Sequence, residues 1–533
     1  QHGQLHRRGR GIPYPPALMI GGEGNGMKKR MSAREAAGLV RDGSCVWLAG
    51  GGGGINDPCH FLGELEQSFL ETGHPRDMTL CHSAGMGDKQ GGGADHFAHA
   101  GMVKKVVGSH WTWSVRMQEL AAKEEIEAYV LPQGVMSQMT RDIAGGRPGL
   151  ISRIGLGTFV DPRVEGGCMN RRSTEQLAQV LEIGGREYLL YKAFPIDVAV
   201  IRGSSADEDG NISYEQEGIV PEALSAAQAA KNSGGIVIAQ VKRVVARGTI
   251  KPLQVKVPGV LVDAVVVDPE QRQSLLTDYD PSLSGEYRVV IEDEDSRMPL
   301  TERKVIARRA AEELGENDVC NLGFGMPDGV AAVVKEERGL PPVLSVEQGI
   351  IGGIPQGGSN FGLVRNPMAI LDQPYQFDWY DGGGLDVTVL SFAQFDRHGN
   401  VNVSKFGGRI NGVGGFINIS QGAKKVVFVG TFTAGGFCAQ VEEGTIRIMT
   451  EGRNKKLVSQ VEQISFSGAY ARENGQKVVF VTERAVFELT PEGVKLTEIA
   501  PGMDLKRDIL DQMEFVPVMD EEIKIMPARY FKA

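Results

Sequence analysis

The sequence predicts an α/β protein that consists of two homologous domains with largely parallel sheets, fused in one chain. Three observations lead to this prediction: a unit of helix, strand and glycine loop occurs twice, a second strand motif also occurs twice, and helical and strand patterns alternate along the chain. Strands that alternate with helices favour parallel sheets. With 533 residues, the chain is also too long for one ordinary hydrophobic core.

The first repeated unit lies near the start of each half. Residues 32–58 read SAREAAGLVRDGSCVWLAGGGGGINDP, in which Ser32 and Glu35 have the spacing of a helix-capping box and a buried strand leads into Gly50–Gly54. Residues 301–329 read TERKVIARRAAEELGENDVCNLGFGMPDG, with apolar residues at helical spacing, then a strand, then a glycine loop. Helix, strand, glycine loop and proline follow one another in the same order in both copies.

The second repeated unit begins with Asp-Val at the start of a strand. Residues 197–212 read DVAVIRGSSADEDGNI and residues 386–401 read DVTVLSFAQFDRHGNV, so a Gly-Asn pair follows at the same offset in each. Both units run on to another β-rich stretch, residues 234–241 and 423–430. Because the two pairs of matches occur in the same order, we infer that the halves descend from a common ancestor.

Composition shifts suggest where the two domains begin and end. Residues 1–26 show no sustained period, and we expect a disordered or tag-derived tail there, with a transit peptide as the alternative. We expect the first domain to span residues 27–276, an acidic, turn-rich linker to span 277–298, and the second domain to span 299–533.

The composition is that of an ordinary globular protein and argues against several function classes. The net charge of −10 gives no general attraction to nucleic acid or to an anionic membrane. No apolar run reaches the roughly 18 residues that a membrane span needs. The six cysteines lie scattered, without a CxxC pair or a His/Cys cluster, so we expect a reduced cytoplasmic protein with no metal site.

An acidic residue at the end of a predicted buried strand is the main candidate for chemistry. Residues 341–358 read PPVLSVEQGIIGGIPQGG, so Glu347 ends the strand and is followed by eleven residues with five glycines. The repeat aligns Leu80 with Leu344. Ser83 then lies opposite Glu347, so only the second copy has a carboxylate at this position. Because α/β sheets place ligands at the carboxyl ends of strands, we predict a catalytic role for Glu347, with a solvated surface position as the alternative.

Motifs for other chemistries are absent or poorly matched. The glycine loops at 50–55 and 323–329 lack the G-x-G-x-x-G spacing of a dinucleotide site. No G-x-S-x-G nucleophile elbow occurs, which argues against a serine hydrolase. His110, between Ser109 and Trp111, is expected in the core or in a pocket wall rather than as a base.

Several ordered motifs resemble those of the family I coenzyme A transferases. They are SVEQG at 345–349, GLGTFVDPR at 155–163, GGGLDVTVLSFAQFDRHGN at 382–400 and GVGGFINIS at 412–420. The resemblance extends from about Met27 to the carboxyl end and is greatest to the single-chain acetate and propionate CoA-transferases. In that family the Glu of an E-x-G motif is the nucleophile, and Glu347-Gln348-Gly349 fits this motif.

The resemblance implies an enzyme that moves coenzyme A between a short-chain acyl-CoA and a carboxylate acceptor with ping-pong kinetics. Glu347 would carry coenzyme A as a glutamyl thioester, and no tightly bound cofactor is implied. A homo-oligomer, either a dimer or a tetramer, is also implied, with acyl-CoA and small carboxylates as partners and neither nucleic acid nor a membrane. The acid stays open, because acetate, propionate, butyrate and acetoacetate all fit.

Glycines and a few polar residues complete the site that the resemblance implies. Gly414 and Gly415 are expected to donate backbone N–H groups to an oxyanion, because glycine lets a ligand approach the backbone closely. The other residues are Gly349, Gly383 and Gly384 for the oxyanion or coenzyme A, and Gly52, Gly53, Gln133 and Asn366 for the substrate pocket. Turn structure is the alternative for each of them. We expect the site in the cleft between the domains, with Glu347 near Gly50–Gly54.

Two other functions stay open at this point. Water instead of a carboxylate could resolve the same glutamyl thioester, and the protein would then be an acyl-CoA hydrolase. A regulatory protein that keeps only the α/β scaffold would tolerate replacement of Glu347 and would form no covalent adduct with coenzyme A.

Overall fold

The computed structural model describes residues 29–290, 297–323, 325–339 and 342–533, and the tail predicted at 1–26 lies outside these ranges. Two ten-stranded sheets dominate the described structure. All strands of the first sheet lie between Arg30 and Val267, and all strands of the second lie between Val319 and Ile525. Helices connect many of the parallel strands, so the α/β class is the one predicted.

The first sheet is parallel along its main path. Its strands are β1 (Arg30–Met31), β2 (Cys45–Leu48), β3 (Met78–His82), β4 (Val103–Gly108), β5 (Glu127–Val130), β6 (Val198–Asp207), β7 (Ile212–Ser213), β8 (Ile236–Val245), β9 (Val255–Val257) and β10 (Ala264–Val267). Eight of them follow one another in the order β1-β10-β8-β6-β2-β3-β4-β5, and all neighbours on this path are parallel. β7 pairs antiparallel with both β6 and β9.

The second sheet is parallel in its middle and contains antiparallel pairs on both sides. Its strands are β11 (Val319–Leu322), β12 (Val343–Val346), β13 (Ile350–Ile351), β14 (Ala369–Ile370), β15 (Val387–Ser391), β16 (Lys425–Val429), β17 (Lys477–Val481), β18 (Ala485–Thr490), β19 (Gly493–Ile499) and β20 (Val518–Ile525). Their order is β14-β13-β12-β11-β15-β16-β17-β18-β19-β20. The pairs from β12 to β17 are all parallel.

Eleven α-helices and several small sheets surround the two main sheets in the described residues. The helices are α1 (Ala33–Ala37), α2 (Cys59–Thr72), α3 (Val115–Ala122), α4 (Gln133–Ala144), α5 (Ala223–Asn232), α6 (Pro281–Ser284), α7 (Glu302–Ala311), α8 (Asp328–Arg338), α9 (Gln373–Asp381), α10 (Phe416–Gly422) and α11 (Gly468–Glu473). The largest of the small sheets joins Gly149–Ser152, Arg186–Lys192 and Ala178–Ile183. Across the described ranges, no helix has the length and apolar character needed to cross a membrane.

The two main sheets share five parallel strands in the same order. The series β10-β8-β6-β2-β3 of the first sheet corresponds to β17-β16-β15-β11-β12 of the second. Val46 of β2 pairs with Leu80 of β3. In the second sheet, Cys320 of β11 pairs with Leu344 of β12. Val46 and Cys320 both also pair with the valine of the repeated Asp-Val unit, so they are equivalent, and this register confirms the alignment of Leu80 with Leu344.

The repeated Gly-Asn pair ends the same kind of turn in both halves. The Asp207 carboxylate accepts hydrogen bonds from the backbone N–H of Asn211 at 3.0 Å and from its side-chain amide at 2.9 Å. Asp396 accepts the equivalent two bonds from Asn400, both at 3.1 Å. The glycine before each asparagine has a positive φ, 87° and 78°, which glycine adopts without strain. The turn therefore explains why the motif recurs.

Hydrophobic packing joins the two halves of the chain. The largest core cluster contains buried side chains of both main sheets. A smaller cluster lies where the halves meet and consists of Ile55, Ile219, Leu283, Val346, Ile350, Leu363 and Val364. Ile55 directly follows the Gly50–Gly54 loop, and Val346 directly precedes Glu347. This cluster therefore holds the end of β12 close to the first-half glycine loop.

Gly53→Ala is expected to destabilise the protein more than Gly43→Ala does. Both glycines have left-handed backbone, with φ of 66° and 72°, a conformation that costs other residues about 1–2 kcal/mol. A Cβ on Gly53 would lie 2.0 Å from the carbonyl oxygen of Ser359 in the other half, whereas a Cβ on Gly43 would meet nothing within 4 Å. Thermal unfolding should show an additional loss of about 1–3 kcal/mol for Gly53→Ala. Equal losses would contradict this account of the contact.

Candidate active site

Glu347 lies directly beyond the carboxyl end of β12, at the position that Ser83 occupies beyond β3. Only 8% of its surface is exposed, so the alternative of a solvated surface acid is excluded. Among the described residues, no lysine or arginine forms an ion pair with its carboxylate. A buried carboxylate without a cationic partner is costly, and such groups cluster at functional sites.

The surroundings of Glu347 change its acidity. Burial raises the pKa of the Glu347 carboxyl, because desolvation disfavours the charged form. The backbone N–H of Glu347 and the side chains of Asn321 and Gln348 act in the opposite direction and lower this pKa. Asn321 Oδ1 and Gln348 Oε1 are themselves buried and have no hydrogen-bond partner in the described part of the chain. The carboxylate is therefore poorly hydrated but surrounded by polar groups that a ligand can engage.

The Gly414–Gly415 turn packs against Glu347. A Cβ on Gly415 would lie 3.3 Å from Glu347 Cγ. The Gly414 N–H donates to the carbonyl oxygen of Ser109 at 3.0 Å, so it is already used within the protein. The Gly415 N–H donates no hydrogen bond to any described residue. Of the two expected oxyanion donors, the geometry therefore favours Gly415.

Gln133 begins α4 and reaches the same turn from the first half. Its backbone N–H donates to the carbonyl oxygen of Gly414 at 2.9 Å. A Cβ on Gly414 would lie 3.5 Å from Gln133 Oε1. The side-chain Nε2 of Gln133 donates one hydrogen to Gln373 Oε1 at 3.1 Å, and its second hydrogen has no acceptor among the described residues. Gln133 thus places its side-chain amide beside the Gly414–Gly415 turn, with Oε1 facing Gly414 and Nε2 bound to Gln373.

His110 forms part of the wall of this site, as the sequence predicts. It makes an isolated antiparallel bridge with Gly412, and its Cδ2 would lie 3.8 Å from a Cβ on Gly414. Burial lowers the pKa of His110 to about 4, because desolvation disfavours the imidazolium. The imidazole is therefore neutral near pH 7.

Gly349 has a structural role instead of the expected role as an oxyanion donor. Its N–H donates to the carbonyl oxygen of Val346 at 3.0 Å, so it is not free to bind a ligand. A Cβ at this position would lie 2.1 Å from the carbonyl oxygen of Leu371, and φ is 106°. Glycine is therefore needed here so that the chain can turn sharply behind Glu347.

Gly383 and Gly384 do not reach Glu347. Their N–H groups donate to the carbonyl oxygens of Tyr380 and Trp379, at 3.0 and 2.9 Å, where α9 ends. They precede β15 and so lie at the amino edge of the parallel strands, whereas Glu347 lies at the carboxyl edge. The expected oxyanion or coenzyme A role of these two glycines does not agree with this placement, and they instead connect α9 to β15.

Gly52 and Gly53 pack closely within the protein at the cleft. A Cβ on Gly52 would lie 2.6 Å from Trp113 Nε1, and Gly53 faces the backbone of Ser359, twelve residues after Glu347. These contacts require small residues in the loop and place the loop on the segment that follows Glu347. Direct contact of Gly52 and Gly53 with a substrate stays a prediction.

Asn366 connects two segments of the chain instead of facing a pocket. Its side chain donates to the carbonyl oxygen of Val289 and accepts from the Val289 N–H, both at 2.9 Å. Its own N–H donates to the carbonyl oxygen of Ser282 at 2.8 Å. These bonds occupy the side chain of Asn366 within the fold and join it to the segment that precedes residue 291. The expected role of Asn366 in a substrate pocket does not agree with these contacts.

Polar residues beneath Glu347 are part of the site but were not predicted from the sequence. Asn321 of β11 lies in register with Ser345 of β12. The Tyr380 hydroxyl donates to Ser345 Oγ at 2.8 Å, and Gln376 Nε2 donates to the carbonyl oxygen of Val346 at 3.4 Å. The asparagine within the apolar strand VCNL was the available signal, since buried polar side chains need partners. In the described ranges, no group of three or more His, Cys, Asp or Glu side chains could hold a metal ion.

Comparison with known sequences gives consistent relatives. The family model for coenzyme A transferase matches residues 30–268. Caffeate CoA-transferase of Acetobacterium woodii is 47% identical over 515 residues, which cover 95% of this chain and 98% of that protein. Acetate CoA-transferase YdiF of Escherichia coli K12 is 43% identical over 511 residues, which cover 95% of this chain and 96% of that protein.

Comparison with solved structures agrees with these sequence relatives. The apoenzyme of acyl-CoA transferase YdiF from Escherichia coli O157:H7 superposes with a TM-score of 0.90 at 42% identity and covers 97% of this chain and 98% of that one. The thioester complex of YdiF with CoA superposes with a TM-score of 0.89 at 43% identity and covers 94% and 96% of the two chains. With whole-length relatives of this kind and the same fold, the chain belongs to the coenzyme A transferase family, in its family I branch.

Proposed function

We propose that this coenzyme A transferase exchanges coenzyme A between a short-chain acyl-CoA and a carboxylate through a glutamyl-CoA thioester on Glu347. The observation that carries the proposal is the buried carboxylate beyond β12, which packs against Gly415 in a turn that Gln133 also contacts. The thioester complex of YdiF with CoA, in a protein 43% identical, supports it.

The chemistry consists of acyl transfers between anions. A carboxylate oxygen of Glu347 attacks the thioester carbonyl, and the C–S bond breaks to give a mixed anhydride and the coenzyme A thiolate. The thiolate attacks the glutamyl carbonyl, forms a new C–S bond and expels the first acid as its carboxylate. An incoming carboxylate reverses both steps and leaves as its own CoA ester. No proton has to move, which agrees with a site whose histidine is neutral.

Each tetrahedral intermediate places negative charge on an oxygen next to Glu347. Fixed N–H donors stabilise such an oxygen without reorganising during the reaction. We assign this role to the Gly415 N–H and to the second hydrogen of Gln133 Nε2, one from each half of the chain. Because Gly415 has no side chain, it also leaves room for the acyl group. A Cβ there would crowd Glu347 Cγ.

The preferred acid is tested by a panel of acyl-CoA donors and carboxylate acceptors, with free thiol followed in parallel. Relatives with similar identity are named for caffeate and for acetate, so family membership does not fix the acid. We expect transfer among acetate, propionate, butyrate or acetoacetate, with little thiol release. Rapid thiol release that no acceptor suppresses would instead show acyl-CoA hydrolysis through the same glutamate.

The rate is expected to fall at acid pH, and the inflection of this fall should lie at a higher pH than the pKa of an ordinary glutamate. Only ionised Glu347 attacks, and its pKa is raised, so kcat/KM should decline as the pH drops through this raised value and should be constant above it. His110, with a pKa of about 4, is already neutral in this range, so His110→Asn should leave the inflection in place. An inflection at or below the ordinary glutamate pKa of about 4.3 would contradict the raised pKa.

We also propose that the protein forms a dimer or tetramer and acts in the cytoplasm. Leu253 and Val260, on either side of β9, are 98% and 83% exposed, and such apolar side chains suit a subunit contact. Sedimentation velocity tests the oligomer. A monomer at working concentration would contradict it.

A further inference from the structure

Glu222 is a buried carboxylate in the first half that the proposed chemistry does not use. It directly precedes α5, and only 1% of its surface is exposed. No lysine or arginine of the described ranges pairs with it. Two side chains of the first half donate to its oxygens: Trp47 Nε1 at 2.9 Å and Ser137 Oγ at 3.3 Å. Burying a carboxylate that contacts only neutral donors costs free energy, which suggests that Glu222 has a specific role.

Two further donors lie toward the second half: Ser83 of the first half and Gln373 of the second. Ser83 Oγ donates to Glu222, 2.8 Å from each carboxylate oxygen. Gln373 Nε2 lies 3.1 Å from Glu222 Oε2 and 3.1 Å from Ser83 Oγ. Ser83 is the counterpart of Glu347 in the repeat, so the first half has a hydroxyl where the second half has its nucleophile. The first-half residue that is equivalent to the nucleophile, Ser83, therefore serves to hold Glu222.

The carboxylate determines which way two amides point. Since a carboxylate only accepts hydrogen bonds, Gln373 must turn its NH₂ toward Glu222 and its carbonyl oxygen away. That oxygen then accepts from Gln133 Nε2 at 3.1 Å. Gln133 must in turn keep its nitrogen at this end, and the second hydrogen on that nitrogen is the one assigned to the oxyanion. All three residues are buried, with no more than 3% of the surface of any exposed, so water does not compete for these bonds.

We propose that Glu222, Ser83 and Gln373 form a positioning relay that fixes the Gln133 amide: Gln373 holds one hydrogen of Gln133 Nε2 and leaves the second for the reacting carbonyl at Glu347. The inference rests on the proposed function, because that function supplies the reaction in which the relay acts. Glu222 is a positioning residue: it contacts neither substrate nor Glu347, and it acts across the contact between the two halves. A carboxylate suits this role, since an amide at this position could donate as well as accept and would let Gln373 and Gln133 turn over.

A double-mutant cycle between Glu222→Gln and Gln133→Ala tests the relay. In the wild-type background, Glu222→Gln should lower kcat about 10- to 100-fold while KM for acyl-CoA changes less than about 2-fold. In the Gln133→Ala background, the same change should cost less than about 3-fold, because the amide that Glu222 positions is gone. Ser137→Ala, which removes one donor to Glu222 outside the relay, is the matched control and should stay within about 2-fold of wild type.

Two results overturn the relay. One is an equal loss from Glu222→Gln in both backgrounds, which would indicate a general structural role. The other is a wild-type kcat for Glu222→Gln. If that variant does not fold, Gln373→Met tests the same connection, since it removes the middle link and leaves Glu222 with three donors. It should show the same dependence on Gln133, and equal losses in both backgrounds overturn the relay here too.

The test also separates the relay from the function on which it rests. Wild-type protein incubated with acetyl-CoA and no acceptor is examined for a coenzyme A adduct by intact mass. Absence of the adduct contradicts the proposed function itself. An adduct on the wild type together with additive losses in the cycle contradicts only the relay.

Discussion

Replacing Glu347 with alanine is expected to lower the rate of coenzyme A transfer by at least about 10⁴-fold, because loss of a covalent nucleophile removes the reaction route instead of weakening it. The fold should persist, since the lost group is a buried carboxyl that makes no ion pair with any described residue. The measurement is kcat with an acyl-CoA donor and a carboxylate acceptor, together with thermal unfolding of both proteins.

Three further variants sharpen this result. Glu347→Gln keeps the shape of the side chain but removes the nucleophilic oxygen and should be as inactive as the alanine variant. Glu347→Asp should also be badly impaired, because the carboxylate retreats by one methylene from a geometry that tolerates little displacement. Glu492→Ala, at an exposed glutamate of the same half, is the control and should behave as wild type. An alanine variant of Glu347 with near wild-type transfer would refute the mechanism.

Removing the Gln133 side chain is expected to lower kcat about 10²- to 10³-fold, the usual cost of losing one oxyanion donor. KM for acyl-CoA should change little, because the donor acts on charge that is present only in the tetrahedral intermediates. Steady-state kinetics of Gln133→Ala measure both quantities.

Gln138→Ala is a matched control for the Gln133 variant. Gln138 lies on the same helix, is almost as buried, with 5% of its surface exposed against 3% for Gln133, and donates instead to Asp378 and Asp381. It should retain most of the activity. If both variants lose activity equally, the effect belongs to α4 as a whole and not to an oxyanion donor.

Much of the fold could be predicted from the sequence, because the repeat shows which positions of the two halves correspond. Asp-Val and Gly-Asn recur at a fixed offset, and in the structure they begin a strand and close the same aspartate-centred turn. A separate match, the alignment of Leu80 with Leu344, identified Glu347 as a carboxylate without a counterpart in the first half. The proposed domain limits at 276 and 299 stay predictions, although the main sheets begin and end on either side of them.

The parts of the site that the sequence did not indicate depend on long-range contacts. Gly383 and Gly384 belong to a motif of the family, but only the strand direction shows that they lie at the edge opposite Glu347. Gln373 and Glu222 are 151 positions apart, and no local pattern predicts that they share a hydrogen bond. Gly414 and Gly415 are adjacent glycines in the sequence, and only the fold shows that the N–H of Gly414 donates to Ser109.

Intact-mass spectrometry after incubation with an acyl-CoA and no acceptor tests the central claim most directly. The account predicts an added mass of coenzyme A less one water, located on Glu347 by peptide analysis and absent from Glu347→Ala. Reduction of the adduct with borohydride should convert Glu347 to an alcohol and abolish transfer. An added mass equal to the acyl group alone, or an adduct that persists in Glu347→Ala, would contradict the account.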